Sequence, residues 1–151
     1  FENKDNILNH DNDFGKLEKL SYVDNSSINY HKNQSWINFQ KKHEYNPIHG
    51  HNGDFSYVIW HKIPYTPANE RLIGPGSKSN TKTNGAFNFY FVNDRLEVDY
   101  LTLQNSKSDE GTLLIFPSNQ LHSVNPFYTS DEYRISISGN ILHRSMNYEY
   151  F

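Results

Sequence analysis

The sequence predicts a mainly β domain of the sandwich or jelly-roll kind, and three observations carry that reading. Aromatic residues make up 15% of the chain, eleven Tyr and ten Phe among them, while the apolar fraction is only 35%. Bulky rings must therefore supply much of the buried area, and they suit pleated, half-buried surfaces. Alanine, the best helix former, occurs only at Ala68 and Ala86. Several short β-branched and aromatic runs are separated by turn residues, with one long crossover between them.

The 151 residues suit one domain, 1–151, with no repeat or second-domain signal. Residues 1–35 are polar and rich in Asn and Asp, which predicts an irregular or helical preamble with a short helix at Phe14–Leu20. Apolar spacing in "WINFQKKHEYNP" predicts a second short helix from Trp36, stopped by Pro47. Phe55–Ile63 alternates as a strand. Pro64–Gly85 is dense in Pro, Gly, Ser, Thr and Asn and reads as a long surface excursion, a candidate lid. Strands follow at "AFNFYFV", "RLEVDYLTLQ" and "GTLLIFPS", and a last one at "RISISGNIL".

A net charge of −3 offers no broad basic field, which argues against nucleic acid and anionic membrane and for a small or neutral ligand. The absence of cysteine excludes disulfides and thiolate metal sites and accords with a reducing, cytoplasmic setting. No apolar run approaches the roughly 20 residues of a membrane span.

Candidate chemistry begins at "NPIHGHNGDFSYVIW". Side chains two apart on a strand share a face, so His49 and His51 suit either one shared cavity or a hydrogen-bonded surface pair, and neutral imidazole is the commonest ligand of Zn, Fe, Cu or Ni. In "GTLLIFPSNQLHSVNPF" an apolar strand capped by Pro117 is followed by His122, which a neighbouring strand brings to the same rim. In "EYRISISGN", Arg134, Ser136, Ser138 and Asn140 lie on one face and Ile135, Ile137 and Ile141 on the other. Few carboxylates stand where they pair with an inward Arg134, so a carboxylate-bearing ligand is its expected partner. Tyr57 and Asn46 are placed to reach a cosubstrate or substrate, and His61 shares the Tyr57 face and is a candidate for the cavity wall. His10, His31, His43 and His143 read as ordinary solvated or hydrogen-bonded residues.

The order and spacing of these segments resemble the Fe(II)/2-oxoglutarate-dependent oxygenases, most closely a small family from marine bacteria and their phages with an H-x-H strand and a terminal R-I-S-I-S motif. The resemblance runs from about Trp36 to Asn140. It implies a double-stranded β-helix, Fe(II) as metal, 2-oxoglutarate as cosubstrate, and hydroxylation of a small-molecule or peptidyl substrate with release of succinate and CO2. His49 and His122 match the two histidines of the facial triad, Arg134 the residue that pairs with the distal carboxylate of 2-oxoglutarate, and Ser136 its hydrogen-bonding neighbour. The superfamily generally has a carboxylate where this chain has His51, so either His51 or Asp54 completes the metal site. Two other readings stay open: a metal-binding cupin without 2-oxoglutarate, using His49, His51, Asp54 and His122, and a jelly-roll interaction module without catalysis. The aromatic-rich surface suggests a homodimer.

Overall fold

The computed structural model describes residues 30–143. Eight strands, β1 (Tyr30–Gln40), β2 (Asn46–His49), β3 (Phe55–Lys62), β4 (Phe87–Val92), β5 (Val98–Leu103), β6 (Leu113–Pro117), β7 (His122–Val124) and β8 (Arg134–His143), form two four-stranded sheets. One sheet has the order β1-β8-β3-β6 and the other β2-β7-β4-β5, with antiparallel pairing throughout. This is a jelly roll, the double-stranded β-helix.

Strand β8 runs between β1 and β3, and its register sorts the side chains. Arg134 stands opposite Gln40, Ser136 opposite Asn38 and Trp60, Ser138 opposite Trp36 and Val58, and Asn140 opposite Ser56. That face looks inward, because Ser56, Val58 and Trp60 are all buried. The alternate positions Ile135, Ile137 and Ile141 pair with Phe39, Ile37, Ile59 and Phe55 on the outer face.

Between the sheets lies a core of Val58, Trp60, Ile63, Tyr65, Phe87, Phe89, Phe116 and Phe127. Its rings meet edge to face: Phe89 and Phe116 have centroids 5.0 Å apart at 69°, and Phe87 and Phe89 stand 5.1 Å apart at 70°. Such tilted contacts place the positive edge of one ring on the negative face of the next.

Two expectations need correction. The segment from Trp36 to Pro47 is not helical: Trp36–Gln40 ends β1, which begins at Tyr30 and so takes in the end of the expected preamble, and Asn46–Pro47 opens β2. Pairing of ten β1 residues with β8 overrides a weak local spacing. The helix expected at Phe14–Leu20 lies outside the described residues. Among the described residues there is one α-helix, α1 (Pro67–Leu72), inside the excursion, with Thr66 accepting from the Asn69 amide as its N-cap. None of the described helices is long and apolar enough to cross a membrane.

The excursion is also not a free flap. Glu70 is fully buried, and its carboxylate accepts from the Tyr128 and Thr129 amides at 2.9 Å each and from Thr129 Oγ1 at 2.5 Å. Asn84 Nδ2 donates to the Glu70 and Ile73 carbonyls, and Gly85 N donates to Pro126 O. It joins the end of β3 to the start of β4, the barrel end away from His49 and His122.

Candidate metal centre

The barrel brings three histidines together. His49 closes β2 and His122 opens β7, and the two are register partners across that pair of strands. His51 follows two residues beyond β2, in a loop fixed by its amide donating to Ser118 O at 2.7 Å and by Ser118 N donating to Asp54 O at 3.1 Å. Gly53 carries φ +123 at the turn into β3, where a Cβ would sit 3.2 Å from Ile141 O, so the tight return of the chain needs glycine. One nitrogen from each of His49, His51 and His122 lies within 4.8 Å of the others. Ring centroids are 4.2 Å apart for His49 and His122, 5.0 Å for His49 and His51, and 5.1 Å for His51 and His122.

Hydrogen bonds assign the tautomers of two of these rings. His49 Nδ1 lies 2.6 Å from Pro47 O, and His122 Nδ1 lies 2.9 Å from Gln120 O. A carbonyl only accepts, so each Nδ1 carries the proton and each Nε2 keeps its lone pair, the tautomer a metal requires. Burial holds His122 down at about 4, with the Gln120 bond pulling the other way and the neighbouring imidazoles adding to the drop. His51 is lowered as well, by burial first and then by His49. Both are therefore neutral donors near pH 7.

Apolar rings wall the cluster. Phe87 stacks on His122 at 5.3 Å and 13°, Phe116 meets it edge-on at 5.0 Å, and Trp36 leans on His51 at 5.5 Å. Beside them a buried polar string links Ser56 Oγ to Asn140 Oδ1 at 2.8 Å and to Ser118 Oγ at 3.0 Å.

The donor set fits a divalent ion. Nitrogens about 2.1 Å from a shared ion stand at most about 4.2 Å apart, so the set closes on one by small ring rotations. Three neutral imidazoles add no charge, so the ion keeps its full double positive charge toward an anionic ligand. Asp54 is not part of the cluster.

The remaining candidates are placed as follows. Arg134 is buried at the opposite end of the barrel interior, and protein groups occupy its donors: Gln40 Oε1 accepts from Nε and Nη2, Tyr65 OH and Gly85 O from Nη1 at 2.5 and 2.7 Å, and Asn125 O from Nη2 at 3.0 Å. The expected partner of Arg134 was a carboxylate-bearing ligand, and neutral acceptors from four segments already meet it. None of these acceptors is a carboxylate. Ser136 accepts from Asn38 Nδ2 at 3.3 Å rather than contacting Arg134. Tyr57 and His61 lie on the outer face of β3, opposite Ser56, Val58 and Trp60. Tyr57 OH meets Ser35 Oγ at 2.5 Å and His61 is exposed, so neither lines the cavity. Asn46 is exposed at the start of β2.

Sequence reasoning passed over Tyr65, Gln40 and Trp36. Tyr65 is buried, stacks on Phe127 at 4.9 Å and donates to Gly85 O at 2.6 Å. Burial pushes its phenol up despite Arg134, so it stays protonated. The signal for Gln40 and Trp36 is their parity on β1, visible only once that segment is known to be a strand.

Comparison with known families bears on this geometry directly. A family model described as "Putative 2OG-Fe(II) oxygenase" matches residues 34–140, which span all eight strands in whole or part. No curated protein matches the chain. The matched segment holds His49, His51, His122 and Arg134 and covers well over half of the sequence, and the chain therefore belongs to the 2OG-Fe(II) oxygenase family.

Proposed function

We propose that the protein is an Fe(II)- and 2-oxoglutarate-dependent dioxygenase in which His49, His51 and His122 hold the metal through Nε2 atoms. The observation that carries the reading is the tautomer lock: two of the three imidazoles donate Nδ1–H to backbone carbonyls while their ligating atoms converge. Fe(II) with 2-oxoglutarate and dioxygen supplies the oxidising power, and 2-oxoglutarate leaves as succinate and CO2 as the substrate is hydroxylated.

The chain's own residues set the conditions. Phe87, Phe89, Phe116 and Trp36 exclude water from the histidine side of the cavity. Arg134 is a buried cation among neutral acceptors and attracts the distal carboxylate of the cosubstrate, with the Tyr65 hydroxyl accepting from its Nη1 and Ser136 one step along β8. Occupancy requires Gln40 to give up the guanidinium edge it now covers. The substrate class is a small molecule or peptidyl side chain.

One observation favours a second reading. With the Arg134 donors already met by the protein, the fold is compatible with a three-histidine cupin that binds metal and ignores 2-oxoglutarate. Anaerobic addition of Fe(II) and then 2-oxoglutarate separates the two. The oxygenase gives a visible charge-transfer band that is absent from Arg134→Ala, whereas Fe(II) binding with no response to 2-oxoglutarate makes the protein a cupin.

A further inference from the structure

The outer face of the β2-β7-β4-β5 sheet carries a second feature that the metal chemistry does not use. Phe87 and Phe89 point inward to His122, so Asn88 between them points to the other side of the sheet. There it sits at the base of an open cavity of about 280 Å³ lined by Thr81, Thr83, Asn88, Tyr90, Tyr100 and Asn125.

Asn88 is only 3% exposed, yet its Oδ1 has no hydrogen-bond partner in the protein. Its Nδ2 reaches Tyr90 OH at a long 3.4 Å. Turning the amide over only exchanges which end is left over, because Tyr90 OH is the single side-chain contact and is already engaged with Ser123 Oγ at 2.9 Å. Buried amides without partners are uncommon and destabilising, so one that faces a cavity marks a place where a partner arrives.

The walls say what kind of partner. All six lining residues are uncharged, and they present hydroxyls and amides. Tyr100 OH meets Thr81 Oγ1 at 3.3 Å, and Asn125 Nδ2 holds the Thr83 carbonyl at 3.0 Å, which fixes the excursion as one wall. The Tyr90 and Tyr100 rings are tilted at 47° with centroids 6.4 Å apart. Water alone would satisfy Asn88, but two aromatic faces beside a row of hydroxyls suit a molecule with both O–H donors and a C–H face. We propose that this cavity binds a small neutral polyhydroxylated ligand of the monosaccharide class, with Asn88 accepting from a ligand hydroxyl and Tyr100 packing on its carbon face.

The site lies on the far side of the sheet from the histidines, so its test stands whether or not the protein binds iron. The full chain, labelled with ¹⁵N, is titrated separately with D-glucose, D-galactose and N-acetyl-D-glucosamine. The expected result is a saturable shift of the Asn88 side-chain amide signals with at least one sugar. Tyr100→Ala, a change at a surface-exposed ring that leaves the folded spectrum intact, should weaken binding about ten-fold or more, as loss of a stacking face and its hydroxyl implies. Saturation-transfer measurements on the free sugar check Asn88→Ala, which should lose the response while the protein remains folded. Absence of a saturable response to all three sugars overturns the proposal, as does a response unchanged in both variants. So does binding of uridine or acetamide in place of any sugar, which makes the cavity a planar-amide site.

Discussion

His49 and His122 each bind the carbonyl two residues upstream, Pro47 O and Gln120 O, so one local geometry sets both tautomers. The pair was legible in the sequence because a candidate ligand set leaves a spacing: H-x-H before a strand, and a histidine just after a proline-capped one. Arg134 was legible as inward-facing but its partners were not, since Gln40, Tyr65, Gly85 and Asn125 come from four separate segments. Tyr57 and His61 show the limit of alternation, which divides β3 into two faces without saying which is inside. Packing against Phe116 and β8 decides for Ser56, Val58 and Trp60.

Protonation of His122 has a definite sign. Its folded value is about 4 against the usual 6.5, so between those values the unfolded chain binds a proton that the folded chain refuses. Stability of the metal-free protein should therefore be full above about pH 6.5 and fall as pH drops toward about 4. Urea midpoints across that range test this, and a flat profile would contradict it. At the same scale, His51→Ala should lower Fe(II) affinity by more than the 10–100-fold that outer-shell partners are worth, while His51→Asp keeps a ligand and retains binding. Equilibrium dialysis under anaerobic conditions reads both.

Among elements, β1 explains why the helix reading failed. The spacing of Trp36, Ile37 and Phe39 suits a loose helix as well as a strand, and the choice belongs to β8, which supplies the pairing partner nearly a hundred residues later. The closeness of that packing is visible at Gly139, where a Cβ would stand 2.5 Å from Gln34 O and 2.6 Å from the Tyr57 ring. Gly139→Ala should destabilise the fold by about 1–3 kcal/mol through overpacking, seen as a lower urea midpoint. The excursion was readable as non-hairpin from its composition, but not as a capped helix stapled to the β7–β8 loop by one buried carboxylate. Glu70→Ala leaves the Tyr128 and Thr129 amides without their acceptor and should cost about 1–3 kcal/mol. Limited proteolysis within residues 64–85 should become faster, and unchanged cleavage would show that the segment is held in some other way.

Across the whole molecule, chemistry divides between the two ends of one barrel. The histidines occupy the end where β2 finishes and β7 begins. Arg134 occupies the other, closed by the excursion through Gly85 and Tyr65. The proposed cosubstrate, with two separated carboxylate ends, would suit this layout: one end would lie at a metal held by His49, His51 and His122 and the other at the Arg134 guanidinium, whose present acceptors include no carboxylate. The excursion packs on the Arg134 end of the barrel and not on the histidine end.

The central claim is that three imidazoles form one metal site, and calorimetric titration with Mn(II), a redox-stable stand-in for Fe(II), tests it most directly. The account predicts one ion per wild-type chain, with binding lost in His49→Ala and His122→Ala and strongly weakened in His51→Ala while all three variants remain folded. Undiminished binding in His122→Ala, or no binding by the wild-type protein, would contradict it.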